Sequence, residues 1–315
     1  MRVIFLGSGE FGLPTIERIH ADFDLVAVVT QPDRPAGRRR QVTGTAIGQW
    51  ADRAGRHLVK TGNANDTAII EHLSAFKPQA AVVVAFGQKL SNALIDVLGA
   101  LVINVHASLL PKFRGAAPIN WAMISGGKCT GLSIISLAQR IDGGQIYAQT
   151  STAIDARETA GELHDRLAVM GPDLVRQVLS DSQAGALTGC AQDESQVSLA
   201  PKLSKADGWV RFDCGADEVR GRIHGLTPWP GVMVNWQESS GQALQMIRIL
   251  RVEALPGNVP VVAPGTVLEG NCVAVSDGVV RLVEVQRPGG RPMAIEEFVR
   301  GRPLMPGDHL LTVKD

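Results

Sequence analysis

The chain has 315 residues, more than the roughly 100 to 200 residues of one typical domain, so we predict two domains. Hydrophobic residues make up 45% of the chain and charged residues 20%, which is typical of a globular protein and excludes a disordered or fibrous one. Because 31 basic side chains balance 31 acidic ones, the net charge does not indicate a nucleic-acid partner, and only a local basic patch could.

The cysteines and the amino terminus limit the possible metal sites and the compartment. Four cysteines lie far apart without C-x-x-C spacing, which argues against a zinc site or a disulfide-stapled secreted domain. The histidines form no metal-binding pattern either, so we expect no metal. The apolar run before Gly7 has only four residues, too short for a signal peptide or a membrane span. The sequence therefore predicts a cytoplasmic protein with no membrane partner.

Short apolar runs alternate with stretches of helical spacing in the first half of the chain. This alternation predicts βαβ units with right-handed crossovers, and hence an α/β domain with a mostly parallel sheet. A turn at Asp142-Gly143-Gly144 precedes an antiparallel return strand. The predicted strands are 3–6, 25–29, 80–85, 101–105, 132–137 and 145–150, and the predicted helices are 11–20, 45–54, 67–76, 91–98 and 158–179.

Residues 181–206 are rich in Ser, Gln, Ala and Gly and show little periodicity, which predicts a linker that runs over the surface. We therefore place a first domain at 1–180 and a second at 207–315. Pro-Gly turns separate short strand-like runs in the last third, which predicts a small β-barrel. These runs are 232–236, 244–250, 273–275 and 279–285.

The segment GSGEFG at 7–12 fits the G-x-G-x-x-G pattern of dinucleotide-binding folds. Such a fold needs an acidic residue at the end of its second strand, but here that strand runs into Thr30-Gln31-Pro32, and Asp33 lies beyond the proline. Glu10 would also place a carboxylate where a pyrophosphate would bind. We prefer the interpretation that the glycines let the first turn approach the sheet closely, with a nicotinamide-dinucleotide site as the alternative.

Polar side chains interrupt the apolar run at 101–106. Asn104 and His106 are two residues apart, so their side chains lie on one face of the strand and converge at its carboxyl end, where open α/β sheets bind ligands. A lone buried histidine is usually a core residue, but the neighbouring asparagine favours a functional pair. Asp142 lies in a turn that can fold back over this strand, although Asp-Gly is also ordinary turn chemistry. The combination of the three is much more specific than any one of them.

The Asn104-x-His106 pair is followed by SLLP at 108–111 and RGAAPI at 114–119, and Asp142 comes later. This combination resembles the signature of the 10-formyltetrahydrofolate-dependent formyltransferase family. QPDRPAGR at 31–38 resembles the basic loop of the family members that act on methionyl-tRNA, and LSK at 203–205 resembles their entry into a carboxyl-terminal domain. The similarity spans nearly the whole chain.

The resemblance implies a Rossmann-like formyltransferase core at 1–180 and an oligonucleotide-binding-like (OB-like) barrel at 207–315 that helps to hold tRNA. It further implies a monomer that takes formyl from 10-formyltetrahydrofolate and transfers it to the α-amine of methionyl-initiator tRNA, for translation initiation. The chain departs from the family pattern at two positions. Gly143 replaces the usual Thr after the aspartate, and Ala107 replaces a common Gly. Neither change removes a catalytic group, but Gly143 leaves the geometry of the turn open.

The chemistry of formyl transfer suggests a role for each catalytic candidate. The amine attacks the formyl carbon and creates a tetrahedral intermediate, to whose negative oxygen Asn104 and a protonated His106 can donate hydrogen bonds. Asp142 can pair with His106, favour its imidazolium form, and help to move the amine proton, directly or through a water, to the leaving folate nitrogen.

The resemblance also assigns substrate contacts. A mobile basic loop beside an active site can grip the tRNA acceptor stem through its phosphates, although such a loop is more often simply solvated. The residues expected to bind tRNA are Arg34, Arg38, Arg39 and Arg40. The residues expected to bind the folate are Ser108, Leu109, Leu110 and Pro111, together with Phe86 and Gly87 at the pterin pocket.

Three other functions remain as alternatives. A formyltransferase acting on a sugar-nucleotide amine has a similar core and SLLP loop, but usually has Pro where this chain has Ala107. Glycinamide ribonucleotide formyltransferase is shorter and lacks the barrel-like third. A non-catalytic RNA-binding protein with a vestigial core is also conceivable, but the intact Asn104, His106 and Asp142 argue against it.

Overall fold

A computed structural model describes residues 1–36, 41–241, 244–258 and 261–313 of the chain. The chain divides into two compact units. The first unit contains Met1–Arg114, Gly131–Ser151 and His164–Leu199, and the second contains Gly115–Thr130, Thr152–Leu163 and Ala200–Asp315. Each unit therefore draws on separate stretches of sequence.

The first part of the chain alternates strands and helices, and seven of its strands form one sheet in the order β10-β9-β7-β6-β1-β2-β5. In chain order, the elements are β1 (Arg2–Gly7), α1 (Leu13–Asp22), β2 (Asp24–Thr30), β3 (Arg34–Ala36), β4 (Gln41–Thr43), α2 (Ala46–Arg53), β5 (Leu58–Lys60), α3 (Thr67–Ser74), β6 (Ala80–Val84), α4 (Asn92–Val97), β7 (Leu101–His106), β8 (Arg114–Gly115), α5 (Pro118–Ile124), β9 (Cys129–Ser136), β10 (Ile146–Ala153), α6 (Ala160–Gln183) and β11 (Leu199–Ala200). The small strands pair separately, β3 with β4 and β8 with β11.

The main sheet is mostly parallel, which confirms the predicted α/β class. Strands β5, β2, β1, β6 and β7 run parallel to one another in that order, whereas β9 runs antiparallel to β7. All five residues of β6 are buried, and so are the last five of β1. A strand that is buried on both faces needs apolar side chains in both directions, which explains why these strands are continuous hydrophobic runs in the sequence.

Polar side chains fix where several of the helices begin. The hydroxyl of Thr45 accepts a hydrogen bond from the Gly48 amide at 3.0 Å at the start of α2, and Ser91 caps α4 through the Leu94 amide at 3.2 Å. Such caps satisfy amides that have no partner within the helix. Helix α6 continues to Gln183 and so extends past residue 181, where the predicted linker starts.

The remaining elements are α7 (Ala216–Gly225), β12 (Val232–Gln237), β13 (Leu244–Pro256), β14 (Val267–Leu268), β15 (Cys272–Val275), β16 (Gly278–Gln286), β17 (Pro292–Ala294), α8 (Ile295–Gly301) and β18 (His309–Thr312). The strands pair antiparallel in the order β14-β15-β16-β13-β12-β18, with β17 beside β16. A bridge between Thr266 and His309 joins the two ends of this sheet, so the sheet nearly closes. The predicted small barrel is confirmed.

The core of the second unit contains a buried carboxylate that anchors the end of the barrel. Asp308 is 1% exposed, and its oxygens accept hydrogen bonds from the Trp236 indole at 2.8 Å and from the Ser239 and Met305 amides at 3.0 Å. These three donors offset the cost of burying the charge. Asp308 thus ties the start of β18 to the end of β12.

The structure also bears on membranes, disulfides and metals. None of the helices in the described ranges is long and apolar enough to cross a bilayer. The four cysteines are free thiols. Among the residues that the structure describes, no three His, Cys, Asp or Glu side chains come together in a way that could hold a metal ion.

Candidate active site

Asn104 and His106 lie at the edge of the main sheet where β6 and β7 end. Asn104 pairs with Val83 on β6 and with Ile135 on β9, which places it near the carboxyl ends of two parallel strands. This edge is where open α/β sheets bind their ligands. Asn104 is partly exposed, and its carboxamide has no hydrogen-bond partner among the described residues. Its N–H groups are therefore free to donate to a bound substrate.

The ring of His106 is buried and both of its nitrogens face protein groups. His106 is 5% exposed, and its Nε2 lies 2.9 Å from the carbonyl oxygen of Phe113. Because a carbonyl can only accept, Nε2 must bear the hydrogen. Nδ1 lies 3.6 Å from Oδ2 of Asp142, whose side chain is 13% exposed. The fold thus brings His106 and Asp142 together from two different segments.

The turn that presents Asp142 is tightly constrained. Asp142 has a φ of 53°, in the left-handed region that non-glycine residues rarely adopt. The turn is closed by a hydrogen bond from the Gly143 amide to the Arg140 carbonyl at 3.1 Å. A Cβ at Gly144 would lie 1.8 Å from the carbonyl oxygen of Ser136, so only glycine fits there. These contacts therefore restrict the backbone conformation of the turn where it leads into β10.

Gly143, where the family usually has Thr, makes this turn less crowded. A Cβ at this position would lie 3.0 Å from the Cβ of Arg140 and 3.7 Å from Nη1 of Arg114. The first distance is tighter than ordinary van der Waals contact, so a larger residue would require Arg140 to shift by a few tenths of an ångström. In this chain the turn closes through its backbone, without a side chain at position 143.

The loop after β7 is held by hydrogen bonds within the first unit. The hydroxyl of Ser108 is fully buried and donates to the Lys112 carbonyl at 2.6 Å. Ser133 donates to the Ser108 carbonyl at 2.6 Å and accepts from the Leu110 amide at 3.0 Å. Gln149 donates to the Leu110 carbonyl at 2.9 Å. The Ser108 side chain thus shapes the loop rather than facing solvent.

The six residues expected to contact folate differ in their exposure. Leu109 and Pro111 are partly exposed, whereas Leu110 is buried with Ser108. Phe86 is 2% exposed and belongs to the core beside β6. Gly87 is exposed and has a φ of 77°. The surfaces that a ligand could touch are therefore those of Leu109, Pro111 and the Gly87 backbone.

The segment that leads into the basic loop is attached to this region. Gln31 donates a hydrogen bond from its side chain to the Phe86 carbonyl at 2.8 Å, and its amide donates to the Ser8 hydroxyl at 3.2 Å. Arg34 lies in β3, which pairs with β4, and is exposed. The other three predicted tRNA contacts, Arg38, Arg39 and Arg40, lie outside the described residues.

The end of β2 bears on the dinucleotide alternative. Thr30 stands where a dinucleotide-binding fold needs a carboxylate, and it is fully buried. Its hydroxyl bonds to the Thr45 hydroxyl at 2.6 Å and to that of Ser8 at 3.3 Å. These contacts link β2, the first turn and α2, and leave no acidic group for a ribose at this strand end.

The sequence assigned no role to a group of polar residues around the Asp142 turn, although one of them, Arg114, belongs to the RGAAPI motif at 114–119. Arg114 is 6% exposed, donates to the Gln192 carboxamide oxygen at 2.7 Å, and pairs with Glu194 at 2.8 Å. The Arg114 guanidinium lowers the pKa of the exposed Glu194 carboxyl. Gln192 also contacts the turn itself. The spacing of these residues does not indicate that they are in contact, because Arg114 and Gln192 are 78 positions apart in the sequence.

Comparison with known proteins places the chain by sequence. The formyl transferase family matches residues 1–179, and the formyl transferase carboxyl-terminal domain matches residues 202–303. A methionyl-tRNA formyltransferase of Heliobacterium modesticaldum is 39% identical over 316 residues, covering 98% of this chain and 99% of the relative. Another, of Geotalea uraniireducens, is 35% identical over 315 residues and covers 98% of both chains.

Solved structures agree on the fold. The N-formyltransferase of Helicobacter canadensis, in complex with folinic acid and dTDP-3-aminofucose, has a TM-score of 0.66 at 14% identity and covers 88% of this chain and 97% of that one. A sugar 3N-formyltransferase solved with dTDP and 5-N-formyl-tetrahydrofolate has a TM-score of 0.65 at 14% identity, covering 89% and 96%. At this identity the likeness shows a shared fold alone.

The chain therefore belongs to the formyl transferase family, and it is an enzyme that transfers a one-carbon group. Relatives that it matches over nearly the full length of both chains include methionyl-tRNA formyltransferases, which confirms the resemblance drawn from the N-x-H, SLLP and aspartate motifs. The matched carboxyl-terminal domain separates it from the shorter glycinamide ribonucleotide enzymes.

Proposed function

We propose that this protein transfers the formyl group of 10-formyltetrahydrofolate to the α-amine of methionyl-initiator tRNA, which yields N-formylmethionyl-tRNA for translation initiation. The main support is the arrangement at the end of β7, where the Asp142 carboxylate lies 3.6 Å from the buried His106 ring and the partly exposed Asn104 lies two residues before His106 on the same strand. Similarity over the full length to methionyl-tRNA formyltransferases supports this acceptor. Folate compounds bound to proteins of the same fold support the donor.

We assign to Asn104 the role of donating a hydrogen bond to the oxyanion of the tetrahedral intermediate. Attack of the amine on the formyl carbon turns the formyl oxygen into a negatively charged alkoxide, which needs a donor fixed in advance. Asn104 is partly exposed on a central strand, and its backbone is fixed by pairing with β6 and β9. A donor on such a rigid element loses little freedom when the charge develops, so its hydrogen bond favours the transition state over the ground state.

His106 is assigned an electrostatic role beside the same oxygen. Its Nε2 donates to the Phe113 carbonyl and its Nδ1 faces Asp142, so direct donation to the oxyanion would require the ring to leave the Phe113 carbonyl. When both nitrogens are protonated, each already has an acceptor, and the imidazolium charge lies in a buried site where it acts strongly. The charge offsets the oxyanion without movement of the ring.

We assign to Asp142 the role of transferring a proton from the attacking amine to the leaving nitrogen. The attacking amine becomes positively charged and must lose a proton, while the departing folate nitrogen must gain one. The carboxylate of Asp142 is partly exposed, so it can accept the amine proton, directly or through a water, and deliver it to the leaving nitrogen. The same carboxylate pairs with His106 and so stabilises the imidazolium.

The folate and tRNA contacts follow from the same assignment. The folate lies along the 108–111 loop and against Phe86-Gly87, with Leu109, Pro111 and Gly87 presenting the exposed surface. Arg34, with Arg38, Arg39 and Arg40, grips phosphates of the tRNA. Residues 1–180 form the catalytic domain, 181–206 the linker and 207–315 an OB-like tRNA-binding domain. The enzyme acts as a monomer in the cytoplasm, where translation supplies its acceptor.

Kinetics of three alanine variants test the catalytic assignment. Asn104→Ala, His106→Ala and Asp142→Ala should each lower kcat by about 100- to 1,000-fold with much smaller changes in KM, because each group acts mainly in the transition state. Initial rates at saturating 10-formyltetrahydrofolate and initiator methionyl-tRNA, followed on acid gels, give the values. The exposed His20→Ala variant is the control. Near wild-type kcat in His106→Ala or Asp142→Ala would remove that residue from the mechanism.

A further inference from the structure

Residues 190–198 cross the first unit beside the catalytic centre and are attached at several points. Cys190 exchanges two backbone hydrogen bonds with Ile146, both at 2.8 Å. At the other end, the Ser198 hydroxyl accepts from the Phe113 amide at 2.9 Å, and its carbonyl accepts from the Arg114 amide at 2.9 Å. The segment thus spans from the strand after the Asp142 turn to the loop whose Phe113 carbonyl accepts from His106. A linker that only connects two domains would not need to be hydrogen-bonded to this region at both of its ends.

Gln192 lies between these attachments and uses its whole carboxamide. Its Nε2 donates to the Asp142 carbonyl at 2.7 Å and to the Gly144 carbonyl at 2.8 Å. Its Oε1 accepts from Nη2 and Nε of Arg114 at 2.7 Å and 3.1 Å. No other side chain of this length offers two donors and a two-fold acceptor on one planar group. Gln192 therefore connects the backbone at Asp142 and Gly144 to one buried cation.

The partner of Gln192 is itself fixed. Arg114 is 6% exposed, and Glu194 receives two of its hydrogen bonds, at 2.8 Å and 3.3 Å. A buried guanidinium paired with a carboxylate in this way is oriented by geometry as well as by charge. Because Arg114 cannot rotate freely, it holds the Gln192 carboxamide in the orientation that points both N–H groups at the turn.

The Asp142 turn needs such support. A residue other than glycine at a φ of 53° is strained, and the strain persists only where the surroundings over-determine the backbone. Hydrogen bonds to the carbonyls of Asp142 and Gly144 restrain the backbone that follows Asp142 and leads back to the strand. Without them the turn could relax, and the Asp142 carboxylate would move away from the His106 ring.

We propose that Gln192 is a positioning residue for catalysis: its carboxamide locks the Asp142 turn so that the carboxylate is presented to His106 and the reacting amine. The inference rests on the proposed formyl transfer, and it concerns a residue that touches neither substrate. Its expected signature is a loss of kcat that depends on the presence of the Asp142 side chain.

Substitutions at Gln192 separate its two sets of contacts. Gln192→Met keeps the length but removes every strong hydrogen bond, and Gln192→Glu keeps the acceptor for Arg114 while removing both donors to the turn. Both variants should lower kcat by about 10- to 100-fold with KM for each substrate within about twofold of wild type, since misplacement of a catalytic group costs rate rather than binding. Wild-type kcat in Gln192→Glu would show that Gln192 merely satisfies Arg114, and would overturn the proposal.

The matched control is Gln196→Ala in the same segment. Gln196 is exposed, and its side chain donates to Asp193 at 2.8 Å rather than to the turn. Gln196→Ala should retain wild-type kcat and melting temperature. An equal loss of kcat in Gln196→Ala and Gln192→Met would mean that the segment matters only for folding, which would also overturn the proposal.

A second background makes the test independent of folding defects. In Asp142→Ala the carbonyl that Gln192 binds is still present, but the carboxylate is gone, so adding Gln192→Met should lower kcat by less than about twofold further. The same 10- to 100-fold loss in both backgrounds would contradict positioning through Asp142. If wild type itself does not formylate methionyl-tRNA, the proposed function fails instead, and the two failures are therefore distinct.

Discussion

Two buried histidines show how surroundings decide what an imidazole can do. His106 is 5% exposed, and its Nδ1 lies 3.6 Å from Oδ2 of Asp142. His224 is 1% exposed, accepts a hydrogen bond from the Val252 amide at 3.0 Å, and lies near Arg251 and Arg220. Burial, followed by these two cations, lowers the pKa of His224 to about 4. His224 is therefore neutral at pH 7, and its ring accepts a backbone hydrogen bond from the barrel strand β13.

The lowered pKa of His224 predicts a pH dependence of stability. The unfolded chain binds a proton at His224 near pH 6.5, whereas the folded chain does so only near pH 4. The stabilisation is therefore present above pH 6.5 and is lost as the pH falls to about 4, by about 3 kcal/mol in total. Urea unfolding of wild type and His224→Gln across this range should show the loss in wild type only. His20→Gln, at an exposed position, should retain it, and parallel curves for all three proteins would contradict the assignment.

At the scale of elements, the turn after β9 is closely packed against the strand that it leaves. Gly144 is packed against the Ser136 carbonyl, while the Ser136 and Gln145 backbones bond at 3.0 Å and the Ser136 hydroxyl accepts from the Gln145 amide at 2.9 Å. These contacts bring the chain back onto the strand immediately after Asp142. The turn therefore links the register of β9 and β10 to the position of the Asp142 carboxylate, for which we propose a catalytic role.

Gly144→Ala is expected to disturb catalysis through this turn. The new Cβ would lie 1.8 Å from the Ser136 carbonyl oxygen, so the turn must open and carry Asp142 away from His106. We expect kcat for formylation to fall by about 10- to 100-fold and the melting temperature to fall as well. Gly62→Ala is the control, because its Cβ would meet nothing closer than 3.9 Å. Unchanged kcat in Gly144→Ala would show that the turn does not position Asp142.

Elements that depend on apolar periodicity could be predicted, and elements that depend on packing could not. The buried strands β1, β2 and β6 are continuous apolar runs, and β7 is apolar except for Asn104 and His106, so the sequence alone located them. Helix α7 was missed because it contains Gly221 and Gly225, which favour other conformations. A Cβ at Gly221 would lie 2.6 Å from the Met123 carbonyl oxygen on α5. Close packing of two helices requires the glycine there, and that requirement is invisible in local sequence.

At the scale of the whole molecule, the same division applies to the site. The side chains to which we assign chemical roles, Asn104, His106 and Asp142, are unusual residues at strand and turn positions, so they could be proposed from sequence. The contact between Gln192 and Arg114 could not be, because the two residues are 78 positions apart in the sequence and only Arg114 belongs to a recognised motif. The two compact units also alternate along the sequence, because Gly115–Thr130 belongs to the second unit. A single boundary at residue 180 does not describe this alternation.

The basic loop leads to a prediction about binding of the whole tRNA. If Arg34 contacts a phosphate, Arg34→Ala should weaken tRNA binding and reduce the slope of log K against log salt by about one. Filter binding of initiator methionyl-tRNA at several salt concentrations measures this slope. Arg176→Ala on α6, an exposed arginine paired with Asp173, is the control and should leave the slope unchanged. An unchanged slope in Arg34→Ala would exclude a phosphate contact there.

The central claim is the identity of the acceptor, and a formylation assay tests it most directly. Purified protein with 10-formyltetrahydrofolate is incubated separately with initiator methionyl-tRNA, elongator methionyl-tRNA and an amino-sugar nucleotide, with His106→Ala in parallel. We predict rapid formylation of the initiator tRNA alone, lost in the variant. Formylation of the amino sugar, with no formylation of either tRNA by folded protein that still binds the folate, would contradict the account.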